Sequence, residues 1–365
     1  MNSIYGVKKY LNHKFEPFII DAVNEWSDFE DELNKKDIKI IKLNKKTIFN
    51  NFNKVGFFRS RIAYLYIFFK AFYPLHVLLK KKKPTFIIIH LITSLPLILF
   101  LFKNYQTKLI LRISGLPKMT FFRRLLWKLV INKVYKITCP TKDTYNDLSK
   151  FDLFKNKLTV LKDPIIHTAD IQKTKLMKTG VTKDIEKILS QNDFFLSIGR
   201  FTKQKNFIFY LNCIPKILKL QKNLYFLFIG QGEDEKLFIE TAKKLKILHR
   251  IIRIRSTKNV HYFMNKSKAF VLTSLWEDPG FVLIEAGYNN CSVISSDCPN
   301  GPVEIINNNG GYLYSSNNED SFLKVVSQFF EDSEDTKFIK KVKLKKRVKY
   351  FTPYQHSLSL NNILN

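Results

Sequence analysis

Short apolar runs alternate along the chain with longer amphipathic stretches. This pattern predicts parallel strands covered by helices on both faces. In the first half the strand-like runs are Phe18 to Val23, Ile38 to Leu43, Thr85 to His90, Lys108 to Ile113, Val134 to Thr138 and Lys157 to Leu161. Helical patterns lie between them at Ser60 to Leu79, Phe121 to Ile131 and Lys142 to Leu148, and the segment after Met1 also reads as a helix. Beyond the Asp163-Pro164 break comes a polar, Lys-rich stretch, His167 to Lys187. Alternation resumes with strand Phe194 to Ile198, helix Asn206 to Leu220, strand Tyr225 to Ile229 and helix Glu233 to Leu245. Strands Ile251 to Arg255, Ala269 to Thr273 and Ser292 to Ser295 follow, with a helix from Phe281 to Tyr288.

Two such blocks predict an α/β chain of two Rossmann-like domains facing each other across a cleft. The expected division is an N-terminal domain over 1–170, a linker over 171–190, a C-terminal domain over 191–345, and a closing helix over 346–365 that can return to the first domain. The uncharged run Phe86 to Phe102 has 17 residues, short of the roughly 20 a membrane span requires. It divides instead into the strand ending at His90 and a helix opening at Ser94-Leu-Pro-Leu, with Pro in its first turn.

Composition changes this picture in one respect. At 45% hydrophobic and 25% charged over 365 residues, the chain is ordinary for a globular protein, so disorder is not the default expectation. Cys139, Cys213, Cys291 and Cys298 lie far apart without a Cys-x-x-Cys pair, which points to reduced, buried thiols rather than disulfides or zinc. Met1 to Lys14 lacks the apolar core of a signal peptide, so a cytoplasmic location is expected. The net charge of +30 is uneven, because Asn51 to Lys142 holds 18 Lys or Arg and no Asp or Glu. Such a block makes a positive field suited to anionic lipid, a phosphorylated acceptor or nucleic acid. Within it, Phe121-Phe-Arg123-Arg124-Leu-Leu-Trp127-Lys128 mixes bases with large apolar groups, as interfacial helices do. A domain helix with one buried face has the same pattern.

Candidate chemistry concentrates at the expected carboxyl ends of the second block's strands, where open α/β sheets bind ligands. Gly199-Arg200 ends one strand and Lys205 stands before the next helix, offering a guanidinium fork and a compact cation to phosphate oxygens. Gly230-Gln-Gly232 ends the next strand, where small residues allow close approach of a ligand. The third element is Ser274-Leu-Trp-Glu277-Asp-Pro-Gly280-Phe-Val-Leu-Ile-Glu285, with seven residues between its two glutamates. Gly280 frees the amides of Phe281 and Val282 at a helix start, and Glu285 falls in an apolar run where a carboxylate needs a partner or ligand hydroxyls.

In this order, with Asp297-x3-Gly301-Pro302-x-Glu304 following, the motifs resemble those of retaining GT-B glycosyltransferases of family 4, the glycosyl transferases group 1 type. The resemblance is close over Phe194 to Leu313 and covers the first half in outline. It implies a hexosyl-type transferase (EC 2.4) that moves sugar from a nucleotide-diphosphate sugar to a membrane-associated or polysaccharide acceptor of lipopolysaccharide, O-antigen or capsule type. Arg200 and Lys205 would neutralise the diphosphate, and Glu277 would hold sugar hydroxyls. Gly199, Gly230 and Gly232 would line the nucleotide site, the Gly280, Phe281 and Val282 amides would meet sugar and phosphate, and Glu285 would bind the ribose. No cofactor beyond the co-substrate and no metal is expected, since no Asp-x-Asp triplet occurs.

The first half departs from that pattern. The family's opening strand and Gly-rich loop are expected to be missing before Gly6, and Arg112-Ile-Ser114 stands where a His is common. His90, Arg112 and Ser114 are the candidate cleft residues. Two other readings stay open: a truncated, non-catalytic relative that keeps nucleotide-sugar binding, and a basic nucleic-acid-binding protein. The latter lacks a recognition helix or stacking module, so nucleic acid is not expected among the partners. The expected location is cytoplasmic, peripheral on the inner face of the cytoplasmic membrane.

Overall fold

The computed structural model describes residues 2–44, 57–90, 94–115, 117, 119–174, 181–257, 259–307 and 309–365. Residues 91–93 of the uncharged run and 175–180 of the expected linker lie outside these. The chain divides into two compact units, one of Met1–Pro140, Thr144–Asp163 and His356–Asn365, the other of Thr141–Asp143 and Pro164–Gln355.

In the first unit, β1 (Phe18–Asp21) and β2 (Lys39–Lys42) form a parallel pair of their own. Strands β3 (Phe86–His90), β4 (Lys108–Arg112), β5 (Val134–Cys139) and β6 (Leu158–Val160) form a parallel sheet in sequence order. Residues one apart along these strands enter different cores, as the strand period of two requires. Leu109 and Leu111 join one core with Leu75, Leu95 and Trp127. Ile110 joins another with Val7 of the first helix, Asn2–Tyr10, Leu11 just after it, and Leu360 and Leu364 of the last, Pro353–Leu364. The uncharged run resolves into β3 and a helix, Ser94–Phe102. The preceding helix, Phe57–Lys82, continues through Pro74.

The second unit holds β7 (Phe194–Ile198), β8 (Tyr225–Ile229), β9 (Ile251–Ile254), β10 (Ala269–Leu272), β11 (Val293–Ser296) and β12 (Tyr312–Tyr314). All pair in parallel, in the order β12-β11-β10-β7-β8-β9. Renumbered within the unit this is the doubly wound order 3-2-1-4-5-6 in reverse, so the strand order switches between β7 and β10. The period of two again sorts side chains: Leu227 and Ile229 face one core, Phe226 and Phe228 the other. Both faces of the sheet are buried, so the strands read as unbroken apolar runs.

Two expectations need correction. The stretch expected as a linker carries helices Thr168–Thr174 and Lys183–Gln191. Its Lys content hid an Ile185–Ile188–Leu189 stripe at helical spacing that packs on the second unit's core, with Thr182 capping the helix. Strand β12 was also unforeseen, since three residues are too few to show a period. All four cysteines are buried and unbridged. Among the described residues no helix is long and apolar enough to cross a membrane.

Candidate active site

The switch point brings together two loops distant in sequence. After β7 the chain turns through 199–206 into helix Phe207–Leu220; after β10 it runs through 273–280 into helix Phe281–Tyr288. The strands are hydrogen-bonded neighbours, with Phe195 opposite Ala269 and Leu196 opposite Phe270. Their loops are stitched as well. Thr273 Oγ1 donates to the Lys205 carbonyl at 2.8 Å, the Leu275 amide to the Gln204 carbonyl at 2.8 Å, and Gln204 Nε2 to the Trp276 carbonyl at 2.9 Å.

Lys205 and Glu277, 72 positions apart, meet between these loops. Lys205 Nζ lies 2.5 Å from Glu277 Oε1, and Ser274 Oγ donates to the same oxygen at 2.5 Å. Glu277 is 4% exposed, so its charge depends on that pairing. No hydrogen bond reaches Oε2 among the described residues, leaving one carboxylate oxygen to accept from a ligand hydroxyl. The Glu277 amide donates to the Pro299 carbonyl at 3.1 Å, and Ser296 Oγ donates to the Ser274 carbonyl at 2.7 Å, so the loop after β11 holds the glutamate's backbone.

The glycines form the floor. A Cβ on Gly199 would lie 3.0 to 3.1 Å from three carbons of the Lys205 stem, so the lysine lies flat along this residue. Gly230, at φ +147°, sits with its Cα against the Gly199 carbonyl, and any side chain there collides with that backbone. Gly232 packs likewise against Phe201, whose amide donates to the Gln231 carbonyl at 3.1 Å. Gly280, at φ +93°, precedes the helix that starts at Phe281; this left-handed conformation suits glycine. Its carbonyl accepts from Leu283 and Ile284. The amides of Phe281 and Val282 have no acceptor among the described residues, and they carry the positive end of the helix dipole.

Glu285, one turn further along that helix, is half-buried and its carboxylate has no protein partner among the described residues. Burial pushes its pKa up to about 7. Arg200 is exposed and forms no ion pair among the described residues. Thus Gly230 lies against Gly199, Gly199 along Lys205, Lys205 on Glu277 and Glu277 beside Gly280; Phe281, Val282 and Glu285 share the helix that Gly280 precedes, and Arg200 is adjacent to Gly199 through the chain. No group of three or more His, Cys, Asp or Glu with metal-binding spacing occurs among the described residues.

The candidates from the first unit behave differently. Arg112, at the end of β4, grips Asp163 with two guanidinium nitrogens, Nε at 2.8 Å from Oδ1 and the second on Oδ2. Both side chains are largely buried. The fork geometry and low exposure brace the end of β4, and the Arg112 guanidinium is engaged there. His90 pairs in register with Arg112 across β3 and β4. Its ring is accessible, yet desolvation by surrounding atoms, followed by the Arg112 charge, lowers its pKa to about 4, so it is neutral at physiological pH. Ser114 is half-buried, with no hydrogen-bond partner among the described residues.

Sequence reasoning assigned no role to Ser274, Thr273, Ser296 or Pro299. Ser274 could have been suspected, because a hydroxyl three residues before a buried glutamate can reach its carboxylate. The carbonyl of Pro299 could not, since no local pattern marks it.

Residues 181–347 match the family model described as glycosyl transferases group 1. The chain is 26% identical over 317 residues to an uncharacterized glycosyltransferase of Methanocaldococcus jannaschii, covering 83% of this chain and 74% of that protein. It is 26% identical over 200 residues to the UDP-Gal:alpha-D-GlcNAc-diphosphoundecaprenol alpha-1,3-galactosyltransferase of Escherichia coli, covering 52% of this chain and 48% of that enzyme. A crystal structure of a glycosyltransferase from Rickettsia africae superposes with TM-score 0.76 at 16% identity, over 100% of this chain and 93% of that one. The matched family segment lies wholly in the second unit, and the structural likeness shows the GT-B fold of two Rossmann-like domains.

Proposed function

We propose that the chain is a retaining, family 4 type, metal-independent transferase of a hexosyl-type sugar, with a nucleotide-diphosphate sugar as donor and a lipid-linked or polysaccharide acceptor. The observation that carries this reading is the Lys205–Glu277 pair at the switch point, with one carboxylate oxygen unclaimed. In the reaction the bond from the sugar's anomeric carbon to the diphosphate oxygen breaks. The acceptor hydroxyl oxygen bonds to that carbon on the face the leaving group vacates, and its proton passes to the departing diphosphate. The demand on the protein is to meet negative charge as it develops, which preorganised donors do most effectively. Lys205, Arg200 and the free amides of Phe281 and Val282 are such donors, and they can fill the part a metal ion would otherwise take. Glu277 Oε2 accepts from a donor-sugar hydroxyl. Glu285, short of a partner, accepts from the ribose hydroxyls.

The acceptor class is suggested by the E. coli relative, whose name specifies a UDP-sugar donor and a diphosphoundecaprenol-linked acceptor. The test is donor hydrolysis or transfer by the full chain with Lys205→Ala, Glu277→Ala and Glu285→Ala. The first two are expected to lose on the order of 100-fold or more in kcat, as removal of one charge-stabilising donor does, and the third to raise KM. Unchanged kinetics in all three would overturn the assignment.

A further inference from the structure

We propose that the helical face of the first unit's sheet is a docking surface for an anionic lipid bilayer, a proposal that uses none of the sugar-site residues and does not depend on the transferase reading. Three helices, Phe57–Lys82, Ser94–Phe102 and Phe121–Val130, cover one face of the β3–β6 sheet, since Leu75, Leu79, Leu95, Leu99, Trp127 and Val130 meet in a single core. Their outer sides are not the polar faces such helices normally present.

At about 100° per residue, helix Phe121–Val130 divides into three sectors. Trp127 and Val130 point inward and are buried. Phe121, Phe122, Leu125 and Leu129 form one continuous outward arc, with the two phenylalanines 75% and 79% exposed. Arg124 and Lys128, both exposed, flank that arc. Helix Phe57–Lys82 repeats the layout: Leu65, Phe69 and Tyr73 recur one turn apart on its exposed side, Phe69 at 72%. Lys70 lies beside them, and Ile67 and Ala71 turn inward. Phe102, ending the helix between, is 71% exposed.

Large exposed apolar side chains recurring on neighbouring helices mark an interaction site. Its charge says what covers it. Residues 51–142 contain 18 Lys or Arg and no Asp or Glu, so the face complements a negative surface. A second copy of this chain would bring the same acid-free face to a two-fold contact, and like charges would oppose it. No described helix can span a bilayer. The combination is therefore the in-plane mode, with aromatic and leucine side chains entering the acyl boundary and bases meeting headgroups.

The test is co-sedimentation of the full chain with vesicles of phosphatidylglycerol and phosphatidylethanolamine, against vesicles of phosphatidylcholine alone. The unsubstituted chain is expected to sediment with the anionic vesicles, to be released by high salt, and to stay in solution with the neutral ones. Phe121→Ser/Phe122→Ser and Arg124→Glu/Lys128→Glu are each expected to weaken partitioning on the order of tenfold, with thermal melts unchanged because none of these side chains is buried. Equal sedimentation with both vesicle types overturns the proposal, as does retention of binding by both double variants. It also falls if the same substitutions instead dissolve a dimer of the chain while leaving vesicle binding intact.

Discussion

The two units are built alike, from parallel strands with helices packed on both faces, and they leave different things uncovered. The second buries both faces of six strands and gathers the Lys205–Glu277 pair, Glu285 and two helix amides at the carboxyl ends. In the first, Arg112 at the end of β4 is closed on Asp163, and the outer sides of three of its helices carry exposed aromatics. The difference teaches that one architecture offers two separable places for recognition. Strand ends suit small anionic ligands, because backbone and dipoles converge there. Helix backs suit extended surfaces, because they are broad and tolerate substitution without disturbing the core.

That contrast can be broken experimentally. The largest effect is expected from Gly230→Ala. Its new methyl meets the Gly199 carbonyl at a backbone angle of +147°, and strain and overpacking together cost about 4 kcal/mol. Calorimetry should show the loss in the transition of the second unit, with donor binding lost alongside. If the variant melts like the parent, the strand-end floor is not rigid. Next is Arg112→Ala, which leaves Asp163 buried without its partner and costs the first unit about 3 kcal/mol. Nucleotide affinity measured below the melt should be unchanged, and a matching drop in affinity would erase the division between the units.

The smallest effect is a pH dependence. Glu285 has its pKa raised from 4.5 to about 7 by burial, so the folded chain holds a proton there that the unfolded chain has released. Its contribution to stability is complete below pH 4.5 and declines as pH rises through about 7. Glu285→Gln should flatten melting temperature against pH across that window. An unaltered slope would mean that the carboxylate finds a partner in the free protein.

Much of this was legible in the chain because burial on both faces makes strands conspicuous. Strands β7 and β8 fall where Phe194 to Ile198 and Tyr225 to Ile229 were expected, ended by the glycines that mark close approach. Strand β12 was hidden because Tyr312–Tyr314 is too short for a period, and helix Lys183–Gln191 because polar and charged residues outnumber its stripe of Ile and Leu. At the site, Lys205 and Glu277 could each be named from local motifs. Their pairing could not, since it depends on β10 inserting beside β7 rather than beyond β9, and nothing within either segment encodes strand order. Ser274, three residues before Glu277 and sharing the same carboxylate oxygen, was within reach of a local reading; the Pro299 carbonyl, which holds the Glu277 amide, was not.

The ammonium of Lys205 is already engaged in the resting protein. On the proposed reading, a diphosphate arriving there would not fall into an open positive well; it would have to draw the lysine from a carboxylate 2.5 Å away. Bare phosphate would gain little from that exchange, whereas a ligand that also satisfied Glu277 through a hydroxyl would recover what it displaced. Once that hydroxyl was gone, the carboxylate would compete for the lysine again and loosen whatever anion remained.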